Sequence, residues 1–202
     1  MPRQAGQIDV RKHAAILEAA AEVLAERGLA ASLEEVARRA GVSKQTVYNH
    51  YGSKADLVAA LTEQRRRTLT ALFDLPGAVE NPAATLQAYA EALLEAVSNP
   101  SFVGIMRVAV AGAREAPEIG RAMYDAGTRS SRAQLAAFLA AEDRAGRLAI
   151  PEPDLAAEVF SGMVYGARLT PELLGLATPL DAAARAARAR EVTARFLRAY
   201  AP

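Results

Sequence analysis

Cysteine is absent from this chain of 202 residues, so the chain can build neither a disulfide framework nor a thiolate metal site. Histidine is scarce as well, since only His13 and His50 occur. Two distant imidazoles are too few to assemble a metal site, and His13 is interpreted as structural. We expect no metal and no other cofactor, in a chain that suits a reducing compartment.

Long apolar runs are lacking too. No stretch approaches the roughly 20 apolar residues that a membrane-spanning helix needs, and the first residues contain no apolar signal run. These absences predict a cytoplasmic protein with no membrane partner. The polar residues 1–7 favour a mobile N-terminal arm.

Catalytic groups are sparse in the second half of the chain. It contains no histidine, no Gly-x-Ser-x-Gly motif and no glycine-rich phosphate loop. Carboxylate pairs such as Glu142 with Asp143 lie in mostly polar helical surroundings, where solvated charge is the ordinary explanation. An enzyme is therefore not expected.

Alanine and leucine dominate what is present, and alternating runs rich in β-branched residues are missing. This composition predicts an all-α fold, and apolar residues at helical spacing predict about nine helices. Asp9 is expected to cap the first helix, with Val10 on its inner side and Gly28 at its end. The stretch from Phe102 to Ala113 is almost wholly apolar apart from Arg107, which predicts a helix buried on all sides.

The net charge is only +1, yet it is unevenly divided along the chain. Residues 1–68 contain 11 Lys and Arg against 8 Asp and Glu, whereas residues 69–202 contain 13 against 15. The positive N-terminal part also contains the most informative motif.

That motif is a pair of short helices predicted over residues 32–54. Ser32 has Glu35 three residues later, so a hydroxyl and a carboxylate can each satisfy a free backbone donor where the first helix starts. Gly41 ends this helix, and Ser43 caps the second. Two helices that cross steeply around a short glycine turn form a helix-turn-helix, whose second helix enters the major groove of DNA.

Charge distinguishes this segment from an ordinary solvated surface. From Arg38 to Lys54 there are four basic residues and no acidic one, and a phosphate backbone attracts such a face. Polar side chains on the second helix can also hydrogen-bond to base edges and phosphates. The predicted base readers are Gln45, Thr46 and Asn49; the predicted phosphate contacts are Ser32, Tyr48, His50 and Lys54; and Ser43 and Lys44 complete the DNA-binding set.

The segment from Ile16 to Leu61 resembles the DNA-binding half of the TetR family of transcriptional regulators. The resemblance rests on AGVS, TVYNHY and GSKADL, which follow one another in that order. Leu24 and Tyr51 stand where the family more often has Phe, and both are bulky enough to keep the core. The resemblance implies a dimeric regulator, taken here as a repressor, that a small-molecule inducer releases from a palindromic double-stranded DNA operator.

The chain is accordingly divided into three parts. Residues 1–53 are assigned to a helix-turn-helix DNA-binding domain and residues 54–76 to a connecting helix. Residues 77–202 are assigned to a C-terminal ligand-binding and dimerisation domain. Within it, the run from Phe102 to Pro153 is similar to the C-terminal domain of AefR-like members of the family.

Aromatic and apolar side chains with a few polar tips recur in this C-terminal part. Such residues are usually plain core, but a cluster between helices can line a small-molecule site, and the resemblance implies an inducer pocket here. Arg107 then needs a partner, either an internal carboxylate such as Glu91 or Glu158, or an anionic ligand. The candidate pocket residues are Tyr89, Leu93, Phe102, Met106, Arg107, Val110, Tyr124, Phe138 and Met163.

The last two helices contain the candidate dimer face. Intramolecular packing alone could explain their apolar stripes, but two recognition helices must meet half-sites about 34–36 Å apart, or a multiple of that, and a two-fold dimer would fix this spacing. The candidate interface residues are Phe160, Val164, Val192, Phe196 and Tyr200. The alternative hypothesis is a monomeric helical binding or enzyme domain whose helix-turn-helix is purely structural.

Overall fold

The computed structural model of the chain describes residues 10–202, and every regular element in that range is helical. The predicted N-terminal arm over residues 1–7 and the predicted cap Asp9 lie outside the described residues, as does the side chain of Val10. The helices are α1 (Val10–Arg27), α2 (Leu33–Arg39), α3 (Lys44–His50), α4 (Lys54–Thr70), α5 (Pro82–Ser98), α6 (Pro100–Ala111), α7 (Pro117–Met123), α8 (Ser130–Arg144), α9 (Pro153–Leu174) and α10 (Ala182–Ala199).

A π-helical turn, Tyr124–Arg129, joins α7 to α8 without a break. With that run taken as one helix, residues 10–202 contain nine helices and no strand, which confirms the predicted all-α fold. Two 3-10 turns, Gly28–Ala30 and Ala71–Asp74, follow α1 and α4. Over the same range no single helix is long and apolar enough to cross a bilayer, although α5 and α6 pass that test together across a sharp bend.

Packing groups the helices into two compact units. The first unit contains the described residues as far as Leu61 together with Gly104–Met123, and the second contains Thr62–Val103 and Tyr124–Pro202. The first unit takes residues from α6 because they pack beside the end of α1: a β-carbon at Gly112 would come within 2.7 Å of the Leu29 side chain. Packing therefore divides the chain inside α4, inside α6 and between Met123 and Tyr124. The domain limits at residues 53 and 76 stay a prediction.

An apolar core holds the short helices of the first unit together. α1 contributes Ile16, Leu17 and Leu24, α2 contributes Val36, and α3 contributes Val47, all of them almost fully buried. Burying one such side chain stabilises the fold by about 1.5–3 kcal/mol. Because Val47 anchors α3 on one side, the remaining side chains of that helix face away from the core.

The second unit has a larger core built around aromatic rings. The ring of Tyr89 in α5 lies 4.8 Å from that of Phe73 and 6.3 Å from that of Phe160 in α9, between centroids. Phe160 meets Phe196 of α10 edge to face at 5.0 Å, and Phe73 stacks on Phe138 of α8 at 5.0 Å. Aromatic pairs at such distances stabilise beyond their buried area, so these contacts tie four helices around one centre.

The prediction that α6 is buried on all sides is wrong. Arg107 is exposed, and Val110 exposes 61% of its surface. Its buried residues are Val103, Ile105, Val108 and Ala109, and the rest of the helix surface is half-buried or exposed. Composition alone misled here, because small and apolar residues also occupy the solvent-facing side of a short helix.

The prediction of the dimer face is wrong for the residues that were chosen. Phe160, Val164, Val192 and Phe196 are buried within the core of the second unit, and the half-buried Tyr200 packs against the same core. The Tyr200 ring lies 4.6 Å from that of Phe196. These apolar stripes serve intramolecular packing, so the four buried side chains offer no surface to another subunit.

Candidate nucleic-acid interface

The first helix of the motif starts where its capping pair predicts. α2 begins at Leu33, directly after Ser32. The backbone N–H of Glu35 donates to the Ser32 hydroxyl at 3.2 Å, and the backbone N–H of Ser32 donates to the Glu35 carboxylate at 3.3 Å. This reciprocal capping box satisfies two backbone donors that the helix start would otherwise leave free.

The turn between the two helices depends on Gly41. Its φ of +65° lies in the left-handed region, which a residue with a β-carbon adopts only with strain. The N–H of Val42 donates to the carbonyl of Ala37 at 3.0 Å, and the N–H of Gly41 donates to that of Arg38 at 3.3 Å. This is a Schellman motif, which ends α2 and redirects the chain towards α3.

α3, which is seven residues long, then presents a polar surface of six of them. Ser43 caps it, because the backbone N–H of Thr46 donates to the Ser43 hydroxyl at 3.1 Å. Val47 alone is fully buried. The structure exposes most of the predicted DNA-binding residues and half-buries the others: Ser43, Lys44, Gln45, Tyr48, Asn49 and His50 are exposed, and Ser32, Thr46 and Lys54 are half-buried.

Tyr51 fixes the end of α3 against α1. Its hydroxyl lies 2.7 Å from Nδ1 of His13, and the two rings stack with centroids 6.1 Å apart. Burial raises the pKa of Tyr51, so the phenol stays protonated and can donate to the imidazole. His13 thus holds the end of α3 in place, which is a structural role.

The exposed groups already have partners within the protein. Glu34 of α2 binds the Lys44 ammonium at 2.5 Å and accepts a hydrogen bond from the Tyr48 hydroxyl at 2.9 Å. Hydrogen bonds from Lys44, from its own backbone N–H and from Tyr48 lower the pKa of Glu34 to about 2, so the carboxylate is charged at neutral pH. Gln45 donates to Asn49 at 2.6 Å.

Lys54 is engaged as well, since its ammonium donates to the backbone carbonyl of Leu29. DNA phosphates would therefore have to compete with a carbonyl for Lys54 and with a carboxylate for Lys44. Both competing groups belong to the same unit as α3.

Counting charges along the chain missed the acidic residues that neutralise this surface. Arg39 makes a bidentate pair with Glu26 of α1, at 2.6 and 2.7 Å, and also reaches Glu22 at 3.4 Å. The stretch from Arg38 to Lys54 contains no acid, but folding brings three from outside it. The helical spacing of α2 indicates that Glu34 points outward. The sequence does not indicate that Glu34 contacts Lys44.

The second unit brings together five of the nine candidate pocket residues. Three are buried in its aromatic core and two are half-buried against it: Tyr89, Leu93 and Phe138, and then Phe102 and Met163. Burial raises the pKa of Tyr89 strongly, and its hydroxyl bonds to the side chain of Ser131. The polar tip of this tyrosine is thus satisfied inside the core.

The other four candidates lie elsewhere. Met106, Arg107 and Val110 belong to the first unit, and Tyr124 is 47% exposed with its hydroxyl accepting from Arg132 at 2.7 Å. The exposed position of Arg107 removes the reason for expecting a buried partner. Glu158 pairs with Arg132 at 3.4 Å, and Glu91 accepts from Gln87 at 3.0 Å.

A helix-turn-helix with an outward polar second helix, attached to an all-helical second unit, defines a class of DNA-binding transcriptional regulators. Residues 16–61 match the family described as bacterial regulatory proteins, tetR family, and residues 84–202 match the AefR-like transcriptional repressor, C-terminal domain. The chain belongs to the TetR family of transcriptional regulators, whose members act as regulators and not as enzymes.

Solved structures share this fold over nearly the whole chain. A TetR-family regulator from Mesorhizobium loti gives a TM-score of 0.81 at 24% identity, covering 97% of this chain and 100% of that one. The flavonoid-responsive regulator FrrA gives 0.71 at 28% identity, covering 96% and 98%. The transcriptional repressor KstR2 of Mycobacterium tuberculosis is 35% identical over 101 residues, which are 49% of this chain and 50% of that repressor. The chain thus spans about half the length of the curated relatives it matches.

Proposed function

We propose that this TetR-family regulator represses transcription by placing α3 in the major groove of a palindromic operator. The observation that supports this most is the surface of α3, which buries only Val47 and turns a set of hydrogen-bonding side chains and one ammonium to solvent. Side chains of this kind at the start of a recognition helix are the ones that reach base edges.

The proposed roles follow from side-chain chemistry. Amide groups can pair with a base through two hydrogen bonds at once, which favours Gln45 and Asn49 as base readers, with Thr46 beside them. Cationic and hydroxyl groups position a protein on the phosphates. The residues that we assign to contacts with DNA phosphates are Lys44, Tyr48, His50, Lys54, Ser32 and Ser43.

Selection from random duplexes, followed by affinity measurements at several salt concentrations, tests these roles. We expect selection to recover a two-fold symmetric sequence. Changing Lys44 and Lys54 together to Ala then weakens binding and reduces the slope of log K against log salt by between about 0.9 and about 1.8, since a lost phosphate contact removes about 0.9 and removes less where a carboxylate of the protein competes for the lysine. The exposed pair Arg195 with Glu191, in α10 of the second unit, offers Arg195→Ala as a control. Unchanged affinity and slope in the double variant would refute the phosphate roles.

We propose that the protein binds its operator as a homodimer through a different stripe of α9 from the one predicted. Residues four, three and four apart share one side of a helix, and here they are apolar or small. Leu155 and Val159 expose 51% and 40% of their surface, and Gly162 and Gly166 are exposed with no atom within 4 Å of an added β-carbon. Open glycines let a second helix approach closely.

Sedimentation equilibrium tests this dimer. Wild-type protein is expected at twice the mass of one chain, and Val159→Asp is expected to shift the mass towards that of one chain while retaining the helical signal. A monomeric wild type, or an unaffected dimer in Val159→Asp, would reject this interface. Leu176→Asp, at a residue that is 74% exposed beyond the end of α9, is the matched control.

We further propose that an apolar, aromatic inducer binds in the second unit, between the side chains of Tyr89, Leu93, Phe102, Phe138 and Met163. Mostly apolar surroundings with a few polar groups are typical of small-molecule sites. The similar regulator FrrA is flavonoid-responsive, which makes a flavonoid the first probe. Naringenin should raise the unfolding temperature and weaken operator binding, and it should act less on Phe138→Leu. No effect of flavonoids on either readout would reject this ligand class. We also propose that the protein works in the cytoplasm, because its proposed target is DNA.

A further inference from the structure

We propose that Glu34 is a built-in competitor of DNA: its carboxylate occupies Lys44 and Tyr48, and so limits how tightly the protein binds any duplex. This inference rests on the proposed function, because it concerns the same face of α3. It adds a residue that lies on α2, carries the charge sign of DNA itself, and was absent from the predicted DNA-binding set.

The geometry that supports this is local and complete within the first unit. One oxygen of Glu34, Oε1, lies 2.5 Å from the Lys44 ammonium and 2.9 Å from the Tyr48 hydroxyl. The ammonium also lies 5.3 Å from the centre of the Tyr48 ring. A single carboxylate oxygen therefore takes the place that a phosphate oxygen would take, because both are anionic acceptors for the same two donors.

Lys44 is the cation that Glu34 engages, and two arginines nearby have other carboxylates. Arg39 binds Glu26 and Glu22, and Arg27 pairs with Glu35 at 3.4 Å. The Lys44 ammonium and the Glu34 carboxylate are both exposed, with 63% and 45% of their side-chain surface accessible. A polyanion can therefore reach the pair from solvent and replace Glu34.

Replacing Glu34 by a DNA phosphate costs binding free energy because Glu34 is negatively charged. When a phosphate takes Lys44 and Tyr48, the carboxylate of Glu34 loses both partners and remains beside the DNA backbone. Its repulsion weakens binding, and it retains a cation from solution that would otherwise be released. The wild-type protein should therefore release about one counterion fewer on binding than its phosphate contacts alone would give.

Glu34→Gln tests this without knowledge of the operator, because sequence-independent binding depends on phosphate contacts. A labelled duplex of arbitrary sequence is titrated by fluorescence anisotropy at four salt concentrations. Glu34→Gln should bind about two- to five-fold more tightly, as expected when one exposed ion pair is removed from the competition. The slope of log K against log salt should become steeper by about 0.9. Glu115→Gln, at an exposed residue of the same unit, makes the same charge change outside the helix-turn-helix sequence and should match the wild type.

A second substitution distinguishes two explanations for tighter binding: loss of the competition between Glu34 and phosphate for Lys44, and the overall loss of one negative charge. In a Lys44→Met background the ammonium is gone, so adding Glu34→Gln should tighten binding less than two-fold. An equal gain in both backgrounds would show a long-range charge effect and overturn the proposal, as would a Glu34→Gln protein that binds no more tightly than wild type. Wild-type protein that binds no duplex at all would instead reject the proposed function.

Discussion

The helix-turn-helix and the aromatic core of the second unit differ in how far their candidate functional side chains are exposed to solvent. In the first, most of the residues proposed to act are exposed, and the buried side chain of Val47 anchors the helix that carries them. In the second, the candidate ligand residues Tyr89 and Phe138 are themselves part of the core. In the first region, the side chains proposed to bind DNA are therefore different from those that pack the core. In the second region, the same side chains pack the core and are candidates for binding a ligand.

The largest expected effect addresses the buried side of this comparison. Phe196, which is 1% exposed, was predicted to lie at the dimer face, but it packs inside the second unit. Phe196→Ala should lower the free energy of unfolding by about 3–5 kcal/mol, because it removes a large ring and leaves a cavity. Urea titrations at two protein concentrations measure this loss, and the loss should be the same at both.

The matched control is Leu176→Ala, at a residue 74% exposed in the same unit, which should change stability by less than about 0.5 kcal/mol. A Phe196→Ala protein of normal stability that dissociates on dilution would restore the original interface. It would also mean that functional side chains are exposed in the second unit, as they are in the helix-turn-helix.

A smaller effect is expected from the cap that positions the exposed region. Ser32→Ala should lower the free energy of unfolding by about 1 kcal/mol, because the backbone N–H of Glu35 loses its acceptor. Ser32→Thr is the control, since threonine is also a favourable cap and keeps a hydroxyl acceptor at this position, so it should cost much less than alanine. Equal losses in both variants would mean that the hydroxyl is not what holds α2 in place.

The smallest expected effect is a pH dependence centred on Glu63 of α4. Its carboxylate accepts from Arg66 and Arg67, each at 2.6 Å, and these contacts lower its pKa from 4.5 to about 2. A depressed native pKa stabilises the folded state above the unfolded pKa, and this contribution is lost as pH falls from about 4.5 towards 2. Unfolding midpoints of wild type and Glu63→Gln should therefore converge over that range. A constant difference between them down to pH 2 would contradict it.

Short-range patterns in the sequence predicted most of the fold and the local backbone geometry of the candidate DNA-binding face. Ser32 with Glu35, Gly41, and Ser43 each specify a local backbone geometry, and the structure shows that geometry at each of them. Such features depend on residues three or four positions apart, so the chain itself encodes them.

Contacts between distant residues could not be predicted in this way. The pairs Glu34 with Lys44 and Glu26 with Arg39 depend on how α1, α2 and α3 pack, which no spacing along the chain reveals. The same limit explains the wrong dimer face: the apolar stripe that contains Phe160 looks alike whether its partner is in the same subunit or in another. Burial in the folded chain decided between them.

The most direct test of DNA reading by α3 is a comparison of selected sequences. Gln45 and Asn49 bond to each other at 2.6 Å in the free protein and are the proposed base readers. Random-duplex selection with wild type and with a variant carrying Gln45→Ala and Asn49→Ala should recover different bases at the same positions of the half-site, with sequence-independent affinity retained. Recovery of one identical sequence by both proteins, at equal affinity, would show that α3 does not read the bases.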